Sequence, residues 1–344
     1  MCVSTLYFAG LFGNHSSNST ILLYLQYTLT TYLRQTPEKT FVAPYRPATT
    51  QQHEEAASIC QAALAPAIND IEKMASSILA PLIRALNRRV AGTIARVHLG
   101  VYKDEKEGAG VEADGPSFVQ QHLASIFDQF AKNQLSKLPP EYGAIVASAV
   151  SVFSVYTFVS SVALIRPLSE SARLHITQDL ADIELILEQF ISKTNHSNIS
   201  LSHIDNGKPY AELRAVRQML FWSGLDNKER QASVIAKSML RESWIKDVRP
   251  STVCHFLFSF APSLLSSPHH SKRMRAEDYV GTLVHYDAQI EDREAQAWMV
   301  IMACCDAYHQ RESVDRGHTD GDPRVSRILM DLGPDLLRQA RRHE

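Results

Sequence analysis

The chain is 344 residues long, 45% apolar and 21% charged, which is too apolar for wholesale disorder and leaves room for the core of about two domains. Its 35 Lys and Arg face 37 Asp and Glu, and the net charge of -2 excludes an overall field for nucleic acid or anionic lipid. The five cysteines come in an odd number without a CxxC pair, the usage of a compartment where thiols stay reduced, so a cytosolic setting is expected.

No charged residue precedes Arg34. A signal peptide would want basic residues at its start, and the polar run Asn14 to Thr20 interrupts the apolar one, so the stretch is read as a pair of short buried helices. From Ile59 the apolar positions Ile71, Ala75, Ile78, Leu79, Leu82, Leu86, Val90, Ile94 and Val97 keep a three-and-four spacing, which predicts one long amphipathic helix. Pro66 and Pro81 fall inside it and predict breaks or kinks. Residues 103–115 read as a charged, Gly-rich loop ending in Asp114 as a cap, with Pro116 in the first turn of the next helix. Phe118, Leu123, Ile126, Phe127 and Phe130 give that helix a bulky stripe that ends before Pro139 and Pro140.

Tyr142 to Ile165 carries no charge and is long enough to span a bilayer. Ser148, Ser151, Ser154, Thr157, Ser160 and Ser161 recur along it, however, giving one small polar side suited to close packing inside a bundle. Arg166, Pro167, Leu168, Ser169 and Glu170 form a break with Ser169 as cap. The helix after it sets Ile176, Leu180, Ile183, Leu187 and Phe190 in a near-heptad seam and leaves Asp179, Asp182, Glu184 and Glu188 for solvent. Residues 192–209, rich in Ser, Asn, His and Gly, mark an internal boundary. Helices are then expected near 211–221, 228–246, 251–260, 276–285 and 291–310, with turns at Pro250, Pro262 and Pro268, a disordered loop at 312–323, and a final helix broken at Gly333 and Pro334. Strand alternation is nowhere sustained. The expected organisation is a helical segment over 1–50, read as a truncated remnant, a bundle over 51–200, and a second bundle over 210–344.

Chemistry-bearing motifs are sparse. His285 and Asp287, two apart on a helix, point away from each other and cannot ligate one metal together. Cys304 and Cys305 lack the partners of a tetrahedral site, and Cys305 fits a buried stripe with Trp298, Ile301, Met302 and Tyr308. Asp320, Gly321 and Asp322 lack the other ligands of a calcium loop. No nucleotide-binding, zinc-hydrolase or nucleophile-elbow motif occurs, so no catalytic, cofactor or metal residue is assigned. Sequons at Asn14, Asn18, Asn195 and Asn198 are inert in a cytosolic chain. The basic turn Lys272, Arg273 and Arg275, after His269 and His270, is the one candidate interaction site, suited to an acidic partner or a phosphoinositide headgroup. Arg338, Arg341 and Arg342 sit where cations favour a helix C-terminus.

Two ordered passages carry a family resemblance. Ala163 to Glu170, reading Ala-Leu-Ile-Arg-Pro-Leu-Ser-Glu, followed by Asp179 to Glu184, is similar to a "SLIRPLxE" break and "DxAxxE" helix. Pro250 to Pro268, with Phe256 to Phe260, Ala261-Pro262 and Leu265 to Pro268, resembles a helix ending in "LF", then "AP", then "LxSP". Both patterns are those of the C-terminal portion of the subunit-five family of the conserved oligomeric Golgi (COG) complex, and the resemblance extends over residues 54 to about 310. It implies an all-α fold of elongated helical bundles of the multisubunit vesicle-tethering type, a non-enzymatic role in intra-Golgi retrograde transport, and no cofactor. The implied partners are other COG subunits, SNARE proteins and Rab GTPases, with peripheral association at the cytosolic face of the Golgi membrane and no nucleic acid. Arg166, Pro167, Ser169, Pro262 and Pro268 are then structural breaks. The alternatives are a membrane-inserted α-helical protein, resting on the two uncharged runs, and an α-helical enzyme whose site is assembled from scattered residues.

Overall fold

The computed structural model describes residues 15–36, 50–102, 116–194, 200–225, 231–261, 265–284, 290–314 and 324–342. These form helices with no strand among them. The helices are α1 His15–Thr36, α2 Thr50–Ile94, α3 Phe118–His122, α4 Ala124–Asn133, α5 Pro140–Val162, α6 Glu170–Ser192, α7 Lys208–Leu220, α8 Ala232–Met239, α9 Pro250–Phe260, α10 Pro268–Ser271, α11 Ala276–Leu283, α12 Ile290–Val314 and α13 Arg324–Arg342. The all-α expectation holds. Pro262, His285 to Asp287, Asp320 to Asp322, residues 315–323 of the expected loop, and Asn14, Asn195 and Asn198 lie outside the described residues.

The chain divides into two compact units. One takes Met1–Leu86, Phe130–Ala147 and Lys193–His196, and the other Asn87–Gln129, Ser148–Ser192 and Ser197–Glu344.

In the first unit the uncharged N-terminal run departs from expectation. Over its described part it is one 22-residue helix, α1, which the polar residues from His15 start instead of interrupting. Its buried positions are Leu23, Gln26 and Thr30, while Ile21, Leu22, Tyr24, Leu25, Leu29 and Tyr32 stand exposed. The helix is thus largely inverted, since apart from Leu23 the buried positions are polar while most of the large apolar side chains point outward. Arg34 pairs with Glu72 of α2 at 2.6 Å, and Tyr27 meets Tyr142 edge-on at 6.3 Å. Pro66 and Pro81 do not break α2, which is assigned as a single helix across both. Both prolines are exposed, so the carbonyl that each leaves without a donor can be hydrated at the helix surface.

In the second unit α3 is capped by Ser117, whose Oγ accepts from the Gln120 amide at 3.2 Å, in place of the expected Asp114, which is not among the described residues. Phe127 of α4 packs on Phe190 of α6 with ring centroids 5.0 Å apart, and the α6 seam of Ile176, Leu180, Ile183, Leu187 and Phe190 is buried as expected. The helix expected over 228–246 is shorter. Helix α8 ends at Met239, and the chain turns so that Glu242 can accept from Trp222 Nε1 at 3.0 Å. Helix α13 packs against α8, α9 and α12 and continues through Gly333 and Pro334. Gly333 serves contact here, because a Cβ at that position would fall 1.8 Å from the Trp298 ring of α12. Cys305, Ile301 and Tyr308 are buried and Trp298 is half-buried, which fits the core reading of that stripe.

Helix α5 is, among the described residues, the helix long and apolar enough to cross a membrane, yet 67% of its apolar window is buried inside the protein. Its small polar side is the packed one. Ser151, Ser154, Thr157, Ser160 and Ser161 are all buried, and Ser154 Oγ returns its hydrogen to the Val150 carbonyl at 2.6 Å.

Candidate functional site

The two passages that carry the family resemblance meet in space. Helix α5 ends at Val162, and the break before Glu170 contains a cis Arg166–Pro167 peptide. A helix end leaves backbone carbonyls without intrahelical donors. Arg166 meets that need at the end of α9, where its Nη2 donates to the Ala261 carbonyl at 3.0 Å and to the Leu265 carbonyl. Ser259 Oγ donates in the other direction, to the Ala163 carbonyl, at 2.7 Å. Ser169 caps α6 by accepting from the Ala172 amide at 3.1 Å. Pro268 opens the four-residue α10, as its fixed φ favours at a first helical position.

A buried polar cluster lies at the other end of α9. Arg249, just before α9, directs Nε to both oxygens of Glu212 on α7 at 2.9 Å. Its Nη2 donates to the Tyr156 carbonyl at 3.3 Å and to Ser160 Oγ at 3.1 Å, and its guanidinium lies 4.5 Å from the Tyr156 ring centre. Thr252 Oγ1 donates to Glu212 at 3.0 Å. Beside it, Glu294 of α12 accepts from both the amide and the hydroxyl of Ser251 at 2.7 Å, at the N-terminus of α9 where the helix dipole favours an anion. Burial lowers the Arg249 pKa, but Glu212 and Glu294 outweigh it and raise the guanidinium above its ordinary value. Burial raises the Glu294 carboxyl, against the opposing pull of Arg249 and Ser251.

A second buried carboxylate organises α3 on α6. Asp179 accepts from Tyr102 Oη at 2.5 Å and from the Val119 amide at 2.8 Å, and Asp182 accepts from Gln120 Nε2 at 2.9 Å. Both acids are buried, so the solvent-facing role expected for them is wrong. Glu184 and Glu188 are engaged as well, by Arg217 and by the Leu201 amide respectively. Burial raises the Asp179 carboxyl and, with the Asp179 charge beside it, the Tyr102 phenol.

The basic turn divides. Arg275 is taken by Glu277 and Asp278, each at 2.9 Å, whereas Lys272 and Arg273 stand exposed, Arg273 with a left-handed φ of 53°. Arg338 pairs with Asp335 at 2.9 Å. Close to the turn, a cleft of about 270 Å³ is lined by His98, Gly100, Tyr102, Arg166, His269 and His270. His269 Nδ1 shares a hydrogen with Ser267 Oγ at 2.8 Å and its ring lies 4.1 Å from that of His270. Burial, then His270, His98 and Arg166 in turn, push its pKa down to about 4. The sequence reading named His269 and His270 only as neighbours of the turn, and it missed His98, because residues so far apart in the chain give no local signal.

Among the described residues no group of three or more His, Cys, Asp or Glu is placed to hold a metal ion. Cys304 Sγ donates to Ser271 Oγ at 3.1 Å, and burial pushes the Cys305 thiol up to about 12. A thiol held protonated in this way is a poor nucleophile.

No family model matches the chain, and no solved structure matches it. Among curated proteins, it is 27% identical over 296 residues to conserved oligomeric Golgi complex subunit 5 of Arabidopsis thaliana, covering 82% of this chain and 31% of the relative. It is 24% identical over 213 residues to the subunit of the same name from Mus musculus, covering 59% of this chain and 22% of the relative. The chain therefore spans about a third or less of the length of these relatives, and the similarity falls in their C-terminal part. The resemblance read from the two sequence passages is borne out.

Proposed function

We propose that this chain is a subunit of a Golgi vesicle-tethering complex of the conserved oligomeric type, working by binding and without a chemical step. The similarity to subunit 5 over 82% of the chain carries this reading. It is supported by the all-helical architecture and by the joint that the matched passages form. In this role the protein sits at the cytosolic face of the Golgi membrane, assembles with other subunits of the complex, and serves retrograde transport between cisternae. SNARE proteins and Rab GTPases are its expected further partners.

The inverted helix α1 offers a surface for assembly. An outward row of Ile21, Leu25, Leu29 and Tyr32 with an inward Gln26 and Thr30 suits a partner helix laid along it, in the helix-in-groove manner. The tagged chain, purified from its own cells after a carbonate wash, should appear in the soluble fraction together with subunits of the complex. Leu25→Ser combined with Leu29→Ser should lose those subunits while leaving the larger unit folded. Retention in the membrane pellet without them would refute the reading and favour the membrane-inserted alternative, which the burial of α5 opposes.

A further inference from the structure

We propose that the cleft between the Ala95–Leu99 turn, the Arg166–Pro167 break and the His269–His270 pair is a binding site for a phosphate group. The inference stands apart from the tethering reading and survives or fails independently of it. Three chain segments bring a guanidinium and three imidazoles to one cleft, and the described residues supply no carboxylate in hydrogen-bond or ion-pair contact with Arg166. Arg166 Nε and His98 Nε2 are buried without a hydrogen-bond partner among the described residues. Both residues line the cleft, where an anion offsets a guanidinium charge that no carboxylate compensates. Glu277 acts on His98, but it is bound to Arg275. Asp179 lies behind Tyr102 and accepts its hydroxyl.

The volume falls just under the range of about 300 to 1,000 Å³ typical of small-molecule pockets, which suits a headgroup better than a whole metabolite. Gly100 lines the cleft, and its neighbours Leu99 and Val101 are exposed, at 82% and 46%. Exposed Lys272 and Arg273 follow His270 in the chain. Apolar and cationic side chains around a cleft of this kind fit a phosphorylated lipid headgroup at a membrane surface. A soluble phosphate would present the same chemistry to the cleft.

Bound anion favours protonated imidazole. His269 is opposed in its protonation by His270, His98 and Arg166, so an anion that neutralises them draws a proton onto it. Sulfate, which stays a dianion over this range, should therefore bind about fivefold or more tighter at pH 5.5 than at pH 7.5.

The test uses the full chain and histidine-ring proton–nitrogen correlation spectra, assigned with His98→Gln and His269→Gln. Titration with sulfate and with inorganic phosphate should shift the His98 and His269 signals saturably, and each substitution should weaken binding by about tenfold. Flotation with phosphatidylcholine vesicles containing phosphatidylinositol 4-phosphate assigns the source. Flotation that His98→Gln and His269→Gln both weaken supports a lipid headgroup, and saturable shifts without flotation support the same site filled by a soluble phosphate. Ring signals of the unaltered chain that ignore both anions would overturn the proposal, whether or not the variants fold. So would flotation insensitive to both substitutions, or shifts produced by an acidic peptide and not by phosphate.

Discussion

Replacing Glu212 by Leu strands the Arg249 guanidinium in the interior. Glu212 is 1% exposed and accepts Arg249 Nε on both oxygens and Thr252 Oγ1 on one, so the substitution removes the partner of a buried charge. Losing one member of such a pair costs about 3–5 kcal/mol. Arg249→Met should cost as much, since it leaves Glu212 charged and buried. The double variant removes both charges and leaves orphaned hydrogen-bonding groups at Thr252, Ser160, the Tyr156 carbonyl and the main-chain amide of residue 249, with Glu294 deprived of the pull of Arg249. It should therefore retain a loss of about 1–3 kcal/mol, well short of the sum of the single losses. Urea unfolding followed by tryptophan fluorescence measures this cleanly, because Trp222, Trp244 and Trp298, all the tryptophans in the chain, lie in the larger unit. With a slope of about 3 kcal/mol per molar urea, each single variant should lower the midpoint by about 1 M or more. A single variant within about 1 kcal/mol of the parent, or a double variant as destabilised as the two singles added, would refute the argument that this cluster is a coupled, charge-compensated joint.

Acid should weaken the same unit through His255, which is fully buried, shares a hydrogen with Tyr279 Oη at 3.0 Å and is driven by burial to a pKa of about 3. The unfolded chain binds that proton near pH 6.5, so stability present above this pH should fall by about 1.4 kcal/mol per pH unit on acidifying toward 4. His255→Gln, compared by urea titrations at pH 7 and 4.5, should lose that share of the slope, and an unchanged slope would count against it. Ser151 is fully buried and its hydroxyl has no partner among the described residues, so Ser151→Ala should be neutral or stabilising by up to about 1 kcal/mol, whereas Ser151→Leu should cost about 1–3 kcal/mol by overpacking. A lipid-facing α5 would reverse that order in a thermal melt. Ser169→Ala removes the α6 cap and should cost about 1 kcal/mol in the same measurement, and no change would show that the Ala172 amide finds another acceptor.

Periodicity made the helices legible. The α6 seam, the α9 boundaries and the Ser169 cap all follow from spacing and side-chain chemistry. The buried acids did not, although their positions announced them. Asp179 lies three after Ile176 and four before Ile183, on the buried side of its own helix, and Glu212 lies four before the buried Val216. At Asp179 charge reads as a mark of solvent against a periodicity that points inward. The inversion of α1 shows the same bias, because an uncharged helix was expected to bury its apolar side and instead buries Gln26 and Thr30. The cleft was illegible for a different reason. His98, Arg166 and His269 come from three separate segments, and only the fold brings them together.

The location of the matched passages bears on where partners should be sought. Arg166 reaches the carbonyls at the end of α9, Ser259 reaches back to Ala163, and Arg249 holds Tyr156 and Ser160. Each contact satisfies a backbone or buried polar group that would otherwise be orphaned, so the chemistry of these passages is consumed within the chain. Substituting them should change stability before it changes affinity for any partner. Recognition must then use groups left over once the fold is satisfied. The exposed Ile21, Leu25 and Leu29 of α1 and the cleft lined by His98 and His270 are groups of that kind, one apolar and one lined by imidazoles.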